Sequence, residues 1–178
     1  IFYSINTALK ITKKENIYVS TDSLKIKKYA KSFGIKIIDR PKKLATARSP
    51  EILSWKHAIK HVQLKDAKFD IFVSLPATSP LRNKIDVVNS IKKLKKRTDV
   101  VLTASEASRN PSFNMVKPKK NGFFEVILSG KRIFNRQDAP KVYDLNTVAF
   151  VAKPQFILKC KSIFDGNVDI NIIDLKSK

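Results

Sequence analysis

Apolar positions along the chain recur with two alternating periods. Phe2, Ile5 and Leu9 repeat at helical spacing and predict a helix over 1–11. Asn16–Thr21 (NIYVST) is a short β-branched run that predicts a buried strand. Ile26, Tyr29, Ala30 and Phe33 then fall at i, i+3, i+4 and i+7, and Gly34 follows as a helix C-cap. Ile35–Ile38 predicts the next strand, ended by Arg40-Pro41. Ser49-Pro50-Glu51 combines a cap, a first-turn proline and an acid at the positive end of the helix dipole. The helix it starts carries Ile52, Trp55, Ile59 and Val62 on one face, which places the single tryptophan in the core. Phe69–Leu75 (FDIFVSL) is a continuous apolar run, as expected of a central parallel strand covered on both faces. The prolines of the following PATSPLR segment cannot continue it. A helix resumes with Ile85, Val88, Ile91 and Leu94, and Val100–Thr103 predicts another strand.

This alternation implies an α/β fold with a doubly wound, mostly parallel sheet. Ligands of such sheets bind beyond the carboxyl ends of the strands. Three segments fall there: Ser20-Thr21-Asp22-Ser23, Asp39-Arg40-Pro41 and Pro76 to Arg82. After Ser105 the texture changes. Apolar runs at Phe113–Val116 and Phe123–Leu128 flank Lys119-Lys120-Asn121-Gly122, a hairpin signal. Residues 106–142 therefore read as an antiparallel excursion, followed by a strand over Thr147–Ala152 and a short helix after Pro154.

Length and composition narrow the class. At 178 residues and 43% hydrophobic content, the chain suits one domain with a full core, not two. No apolar run approaches a membrane span and no cleavable signal is visible. Cys160 is the only cysteine, so a reducing, cytoplasmic setting is expected. The first residue, Ile1, continues directly into amphipathic sequence, as in a chain cut from a longer one. A net charge of +21 could attract polyanions, but the lysines are dispersed and their densest cluster, Lys92 to Arg97, lies on the polar face of a helix. The expectation is a solvated basic surface that favours a triphosphate substrate, with no nucleic-acid or membrane partner.

Several strand-end residues suit an anionic ligand. Arg40 and Arg82 can fork onto phosphate or carboxylate, and Thr78 and Ser79 offer hydroxyls and N–H groups just before a helix. Arg136 and Gln137 add a cation and an amide, and Asn146 stands at the entry to a strand. The expectation is that Arg40, Thr78, Arg82 and Arg136 surround one crevice. His57 and His61 stand at i and i+4 but lack the glutamate of a zinc-protease motif, so no metal site is expected there. Cys160 reads as structural, and no Walker-type glycine loop occurs.

VSTDS (Val19 to Ser23), RPKKLA (Arg40 to Ala45), LPATSPLR (Leu75 to Arg82), RQDAP (Arg136 to Pro140) and NTVAFV (Asn146 to Val151) together resemble the acylneuraminate cytidylyltransferases, including their legionaminic and pseudaminic relatives. RNPSFNMV (Arg109 to Val116) resembles a branch of the same family. The resemblance implies a nucleotide-diphospho-sugar-transferase-like fold and attack of a nonulosonic acid's anomeric hydroxyl on the α-phosphate of CTP, with Mg²⁺. It implies that Arg40 and Asp22 bind the nucleotide. Thr78, Ser79 and Arg82 would line the sugar and phosphate cleft, and Asn146 and Phe150 the sugar pocket. Arg136 and Gln137 would reach the sugar acid from the partner of a homodimer built through the excursion. The resemblance assigns no catalytic residue.

Departures from the family pattern raise further expectations. The family's glycine-containing phosphate loop would precede Ile1, and its paired metal-binding aspartates would follow a segment like FDGNVDINII (Phe164 to Ile173). The Mg²⁺ ligands are therefore expected outside this chain, with Asp169 and Asn171 on the strand before them, and little turnover is expected from this stretch alone. Pro76 replaces a glutamine and Phe150 a tyrosine of the family, which leaves the particular sugar open. The alternative is a non-catalytic nucleotide-binding or dimerisation module of the same fold.

Overall fold

The computed structural model describes residues 1–65, 68–128, 130 and 133–174. It begins with helix α1 (Phe2–Leu9), strand β1 (Tyr18–Thr21), helix α2 (Leu24–Ser32) and strand β2 (Lys36–Asp39). α2 starts where the Ser23 side chain accepts the Ile26 N–H. It stops at Gly34, whose φ of 70° lets Ile35 N–H reach the Ala30 carbonyl and Gly34 N–H the Lys31 carbonyl. β1 and β2 pair in parallel, with Val19 opposite Ile37. Beneath them Ile5, Ile17, Val19, Ala30 and Ile35 form one buried cluster.

Helix α3 (Glu51–Lys65) leads to strand β3 (Phe72–Ser74), helix α4 (Lys84–Lys93) and strand β4 (Val100–Glu106). The excursion then contributes a small hairpin, β5 (Val116–Pro118) and β6 (Phe124–Val126), turning at Gly122 with φ 85°. Residues 129, 131 and 132 of that predicted excursion lie outside the described residues. The chain returns through strand β7 (Tyr143–Ala152), helix α5 (Pro154–Lys159) and strand β8 (Val168–Ile172). The second core gathers Trp55, Ile59, Val100, Leu102, Ala152, Ile157 and Cys160.

The α/β class and helix positions follow the apolar periodicity, but the sheet differs in two respects. Among the described residues β1-β2 form a sheet of their own, and a separate four-stranded sheet has the order β3-β7-β4-β8, with β7 antiparallel to both neighbours and β4 parallel to β8. The pairing is therefore mixed, not mostly parallel. β7 is reached from the excursion, not through a helical crossover, so it can run against β4. The run Phe69–Leu75 also forms only the short strand β3. Among the described residues β3 has one ladder partner, the antiparallel β7, and not the two parallel neighbours expected.

One irregularity in β7 bears on the site. Leu102 is opposite Phe150, yet Ala104 is opposite Leu145, so the single residue Thr103 faces residues 146–149. This bulge thrusts that segment out of the ladder.

Candidate functional site

The carboxyl ends of β1 and β2 are fastened together by Arg40. Its Nη2 donates to the Ser20 carbonyl at 2.8 Å and its Nε to Ser20 Oγ at 3.2 Å, while its backbone N–H reaches the Thr21 carbonyl. The neighbouring turn is shaped by Thr21 Oγ1, which accepts the Ser23 N–H at 3.1 Å and leaves Asp22 exposed. Ser54 Oγ donates to the Leu44 carbonyl at 3.2 Å and ties the loop after Arg40 to α3.

Glu51 and His57 feel the field of Arg40. Burial raises the Glu51 carboxyl above its ordinary value, opposed by a hydrogen bond from Trp55 and by the Arg40 cation. Burial lowers the His57 imidazole, helped by the charges of His61 and Arg40. Asp39 is held low mainly by its hydrogen bond and ion pair with Lys27 at 2.5 Å.

A second polar group forms where the loop after β3 meets the β7 bulge. Thr147 Oγ1 lies 2.8 Å from both Thr78 Oγ1 and Ser79 Oγ, so three hydroxyls converge. Beneath them Arg82 is only 5% exposed. Its Nε donates to the Val148 carbonyl at 2.8 Å and its Nη1 to Ser4 Oγ at 2.7 Å, while its Nη2 donates to the carbonyls of Pro76 and Thr147. Desolvation draws its pKa down to about 10, so it remains a cation at neutral pH. Among the described residues no carboxylate pairs with it. Three hydroxyls backed by an uncompensated charge form an environment that favours an anion.

The predicted residues thus separate into groups. Thr78 and Ser79 meet Thr147 at the bulge, to which Asn146 also belongs, and Arg40 and Asp22 stand at the β1–β2 end. Arg82 was expected to fork onto a ligand, but it faces inward and spends its donors on backbone carbonyls and Ser4. Phe150 was expected in a sugar pocket, but its ring packs on the core, 5.0 Å between centroids from Trp55. Arg136 and Gln137 are exposed on a 3-10 turn of the excursion and hydrogen-bond to neither group among the described residues. A hollow lined by Leu9, Lys10 and Asn16 and another lined by Asp70, Asp99 and Lys153 contain no predicted site residue.

The metal implied by the resemblance finds no fitting donors here. No group of three or more His, Cys, Asp or Glu among the described residues could hold an ion. Asp169 faces Lys93 at 3.8 Å, and the Asn171 amide donates to the Asp86 carbonyl and Ser90 Oγ, so both serve the packing of α4 on β8. The Cys160 thiol is buried and its pKa raised by that burial, consistent with a structural role. Periodicity did not single out Thr147 or Thr103. Thr103 had a signal nonetheless: it is the first hydroxyl in the buried apolar run from Val100, and its side chain is fully enclosed.

Comparison with known proteins gives the site its context. A family profile described as Cytidylyltransferase matches residues 1–157. The post-translational flagellin modification protein B of Campylobacter coli is 30% identical over 178 residues, covering 98% of this chain and 74% of that protein. The CMP-N,N'-diacetyllegionaminic acid synthase of Campylobacter jejuni is 29% identical, with the same two coverages of 98% and 74%. A solved CMP:2-keto-3-deoxy-manno-octonic acid synthetase, complexed with CTP, superposes with a TM-score of 0.67 at 13% identity over 97% of this chain and 78% of its own. That last likeness concerns the fold alone.

Proposed function

The chain belongs to the cytidylyltransferase family, and from that premise we propose that it joins CMP to a nonulosonic acid of the sialic type. In the reaction the anomeric hydroxyl oxygen attacks the α-phosphorus of CTP. The bond from that phosphorus to the β-phosphate oxygen breaks, pyrophosphate departs and the hydroxyl proton is released. The observation that carries this reading is the family match across residues 1–157.

The residues take roles suited to their chemistry. Arg40 and Asp22 serve the nucleotide, since a guanidinium fixed to a strand end offers a preorganised donor face. The hydroxyls of Thr78 and Ser79 and the amide of Asn146 serve the sugar acid, and Arg82 adds positive potential from below. Phe150 bounds this region from the core side. Transfer of this kind depends chiefly on positioning and charge stabilisation, which such groups supply without covalent chemistry. Mg²⁺ would accompany the triphosphate, its protein ligands expected outside the described residues, which offer no ligand cluster.

The reading includes a homodimer. Phe123, Phe124, Leu128 and Phe134 of the excursion are 72%, 65%, 58% and 78% exposed, an apolar surface a second copy would cover. Arg136 and Gln137, on the same excursion, would then reach the partner's sugar site. A cytoplasmic location fits the single unpaired cysteine, and no helix among the described residues is long and apolar enough to cross a membrane.

The test is pyrophosphate release by the full-length protein, with CTP and either N,N'-diacetyllegionaminic or N-acetylneuraminic acid. Release that requires both substrates is expected. Calorimetric binding of CTP without release from either acid would favour the non-catalytic alternative.

A further inference from the structure

We infer that Thr103 is a positioning residue, whose buried hydroxyl holds open the β7 bulge and so delivers Asn146 and Thr147 to the sugar-acid side of the cleft. The inference rests on the functional reading above for what the cleft binds, but the bulge itself stands on geometry alone.

In an uninterrupted antiparallel pair, residues 146–149 of β7 would find donors and acceptors on β4. Here Thr103 is the sole residue opposite them, so their backbone groups need other partners. Side chains supply these. Thr103 Oγ1 accepts the Ala149 N–H at 3.1 Å and has the Ala149 carbonyl at 3.2 Å and the Asn146 carbonyl at 3.4 Å as acceptors for its own proton. Asn146 Oδ1 accepts the Val148 N–H at 3.3 Å. Arg82 donates to the carbonyls of Thr147 and Val148 from the opposite side. Thr103 is fully buried, so water cannot substitute for its hydroxyl. The bulge is thus held between a hydroxyl from β4 and a guanidinium from the β3–α4 loop.

The consequence lies at the tip. With residues 146–149 displaced from the ladder, Thr147 Oγ1 comes within hydrogen-bonding distance of Thr78 and Ser79, and Asn146 stands at the bulge entrance. The Asn146 Nδ2 is buried with no partner among the described residues, a donor that a bound oxygen would satisfy. Thr103 touches neither that donor nor the hydroxyl cluster. It acts through the backbone between them.

The test compares Thr103→Val, which keeps the shape and loses the hydroxyl, with Thr103→Ser, which keeps the hydroxyl. Two measurements are made on the full-length protein. Amide hydrogen exchange at Ala149 reads the bulge directly. Thr103→Val should accelerate it by about tenfold relative to the flanking Val101 and Val151 amides, and Thr103→Ser should not. Steady-state kinetics with CTP and N,N'-diacetyllegionaminic acid read the consequence. KM for the acid should rise by about tenfold in Thr103→Val while KM for CTP stays within twofold, with recovery in Thr103→Ser. Unchanged Ala149 exchange in Thr103→Val overturns the inference, as does an equal rise in both KM values. If the wild-type protein turns over neither acid, the functional reading fails, and exchange alone decides whether Thr103 holds the bulge. Should Thr103→Val not fold, Thr103→Cys, with its weaker hydrogen bond, is read in the same way.

Discussion

Arg82 Nε donates to the carbonyl of Val148 at 2.8 Å, joining the loop after β3 to a strand 66 residues further along the chain. The bond belongs to a set that also reaches Thr147, Pro76 and Ser4, so one side chain ties α1, a loop and the β7 bulge together. Local periodicity cannot specify such a junction. It arises because a bulged strand exposes carbonyls that only a long, forked donor can reach from the neighbouring loop.

Arg82→Ala should therefore act first on stability. It leaves the carbonyls of Thr147 and Val148 without their Arg82 donor and that of Pro76 with only the Ser4 hydroxyl at 3.4 Å, a loss of about 2–4 kcal/mol. Urea denaturation of wild type and variant reads this as a lower midpoint at unchanged slope. Arg82→Lys should restore only part of it, since an ammonium cannot fork across the same carbonyls. Full restoration by lysine would mean that charge, and not geometry, is what the position requires.

Thr147→Val tests the hydroxyl cluster. The variant keeps the branched shape and removes the oxygen that faces both Thr78 and Ser79. A modest loss of stability is expected, about 1–2 kcal/mol, because the exposed Thr78 hydroxyl can turn to water whereas Ser79, only 3% exposed, loses a partner. The affinity for the sugar acid should fall several-fold while calorimetric binding of CTP is retained. Loss of CTP binding of the same size would assign the cluster to the nucleotide instead.

How far the sequence foretold this arrangement depended on the range of the interaction. The helices α2, α3 and α4 were legible because their apolar stripes are local: the Ser23 and Asn83 side chains cap α2 and α4, whereas Ser49 Oγ, expected to cap α3, is buried with no partner among the described residues. Arg40 was legible as a strand-end cation. Arg82 and Phe150 were legible as positions in a family pattern, but their orientation was not. Arginine is ordinarily a surface residue, and only the tertiary contact with β7 turns Arg82 inward. The reversal of β7 was hidden for a similar reason: a strand's apolar pattern carries no record of its direction relative to its neighbours.

Gly166 offers a check on the second core. A Cβ built there would stand 2.4 Å from Phe156 Cε2 and 3.0 Å from Asp99 Oδ2. Asp99 is not free to yield, since its Oδ2 accepts the Asn167 N–H at 2.9 Å and its Oδ1 faces Lys153 at 3.6 Å. Gly166→Ala must displace the Phe156 ring from its packing on the core, costing about 1–3 kcal/mol. Thermal denaturation should show the loss. Gly166→Ala combined with Phe156→Leu should recover part of it, which a purely backbone effect would not allow.

The pH dependence of stability should carry a contribution from His57. Burial is the largest cause of its lowered pKa, with His61 and Arg40 adding to it. The unfolded chain, with an imidazole near its ordinary 6.5, then binds a proton more readily than the folded one. Stability from this residue is present above that value and is lost as pH falls through it toward the folded pKa. Glu51, raised by burial, contributes with the opposite sign, losing stability as pH rises from its ordinary 4.5. The comparison must therefore be between wild type and His57→Gln, in which only the imidazole is removed. Denaturant midpoints measured from pH 8 to pH 5 should fall more steeply for the wild type than for the variant. Parallel curves would show that the His57 proton is bound equally in both states, and that the environment beside Arg40 is better hydrated than its geometry indicates.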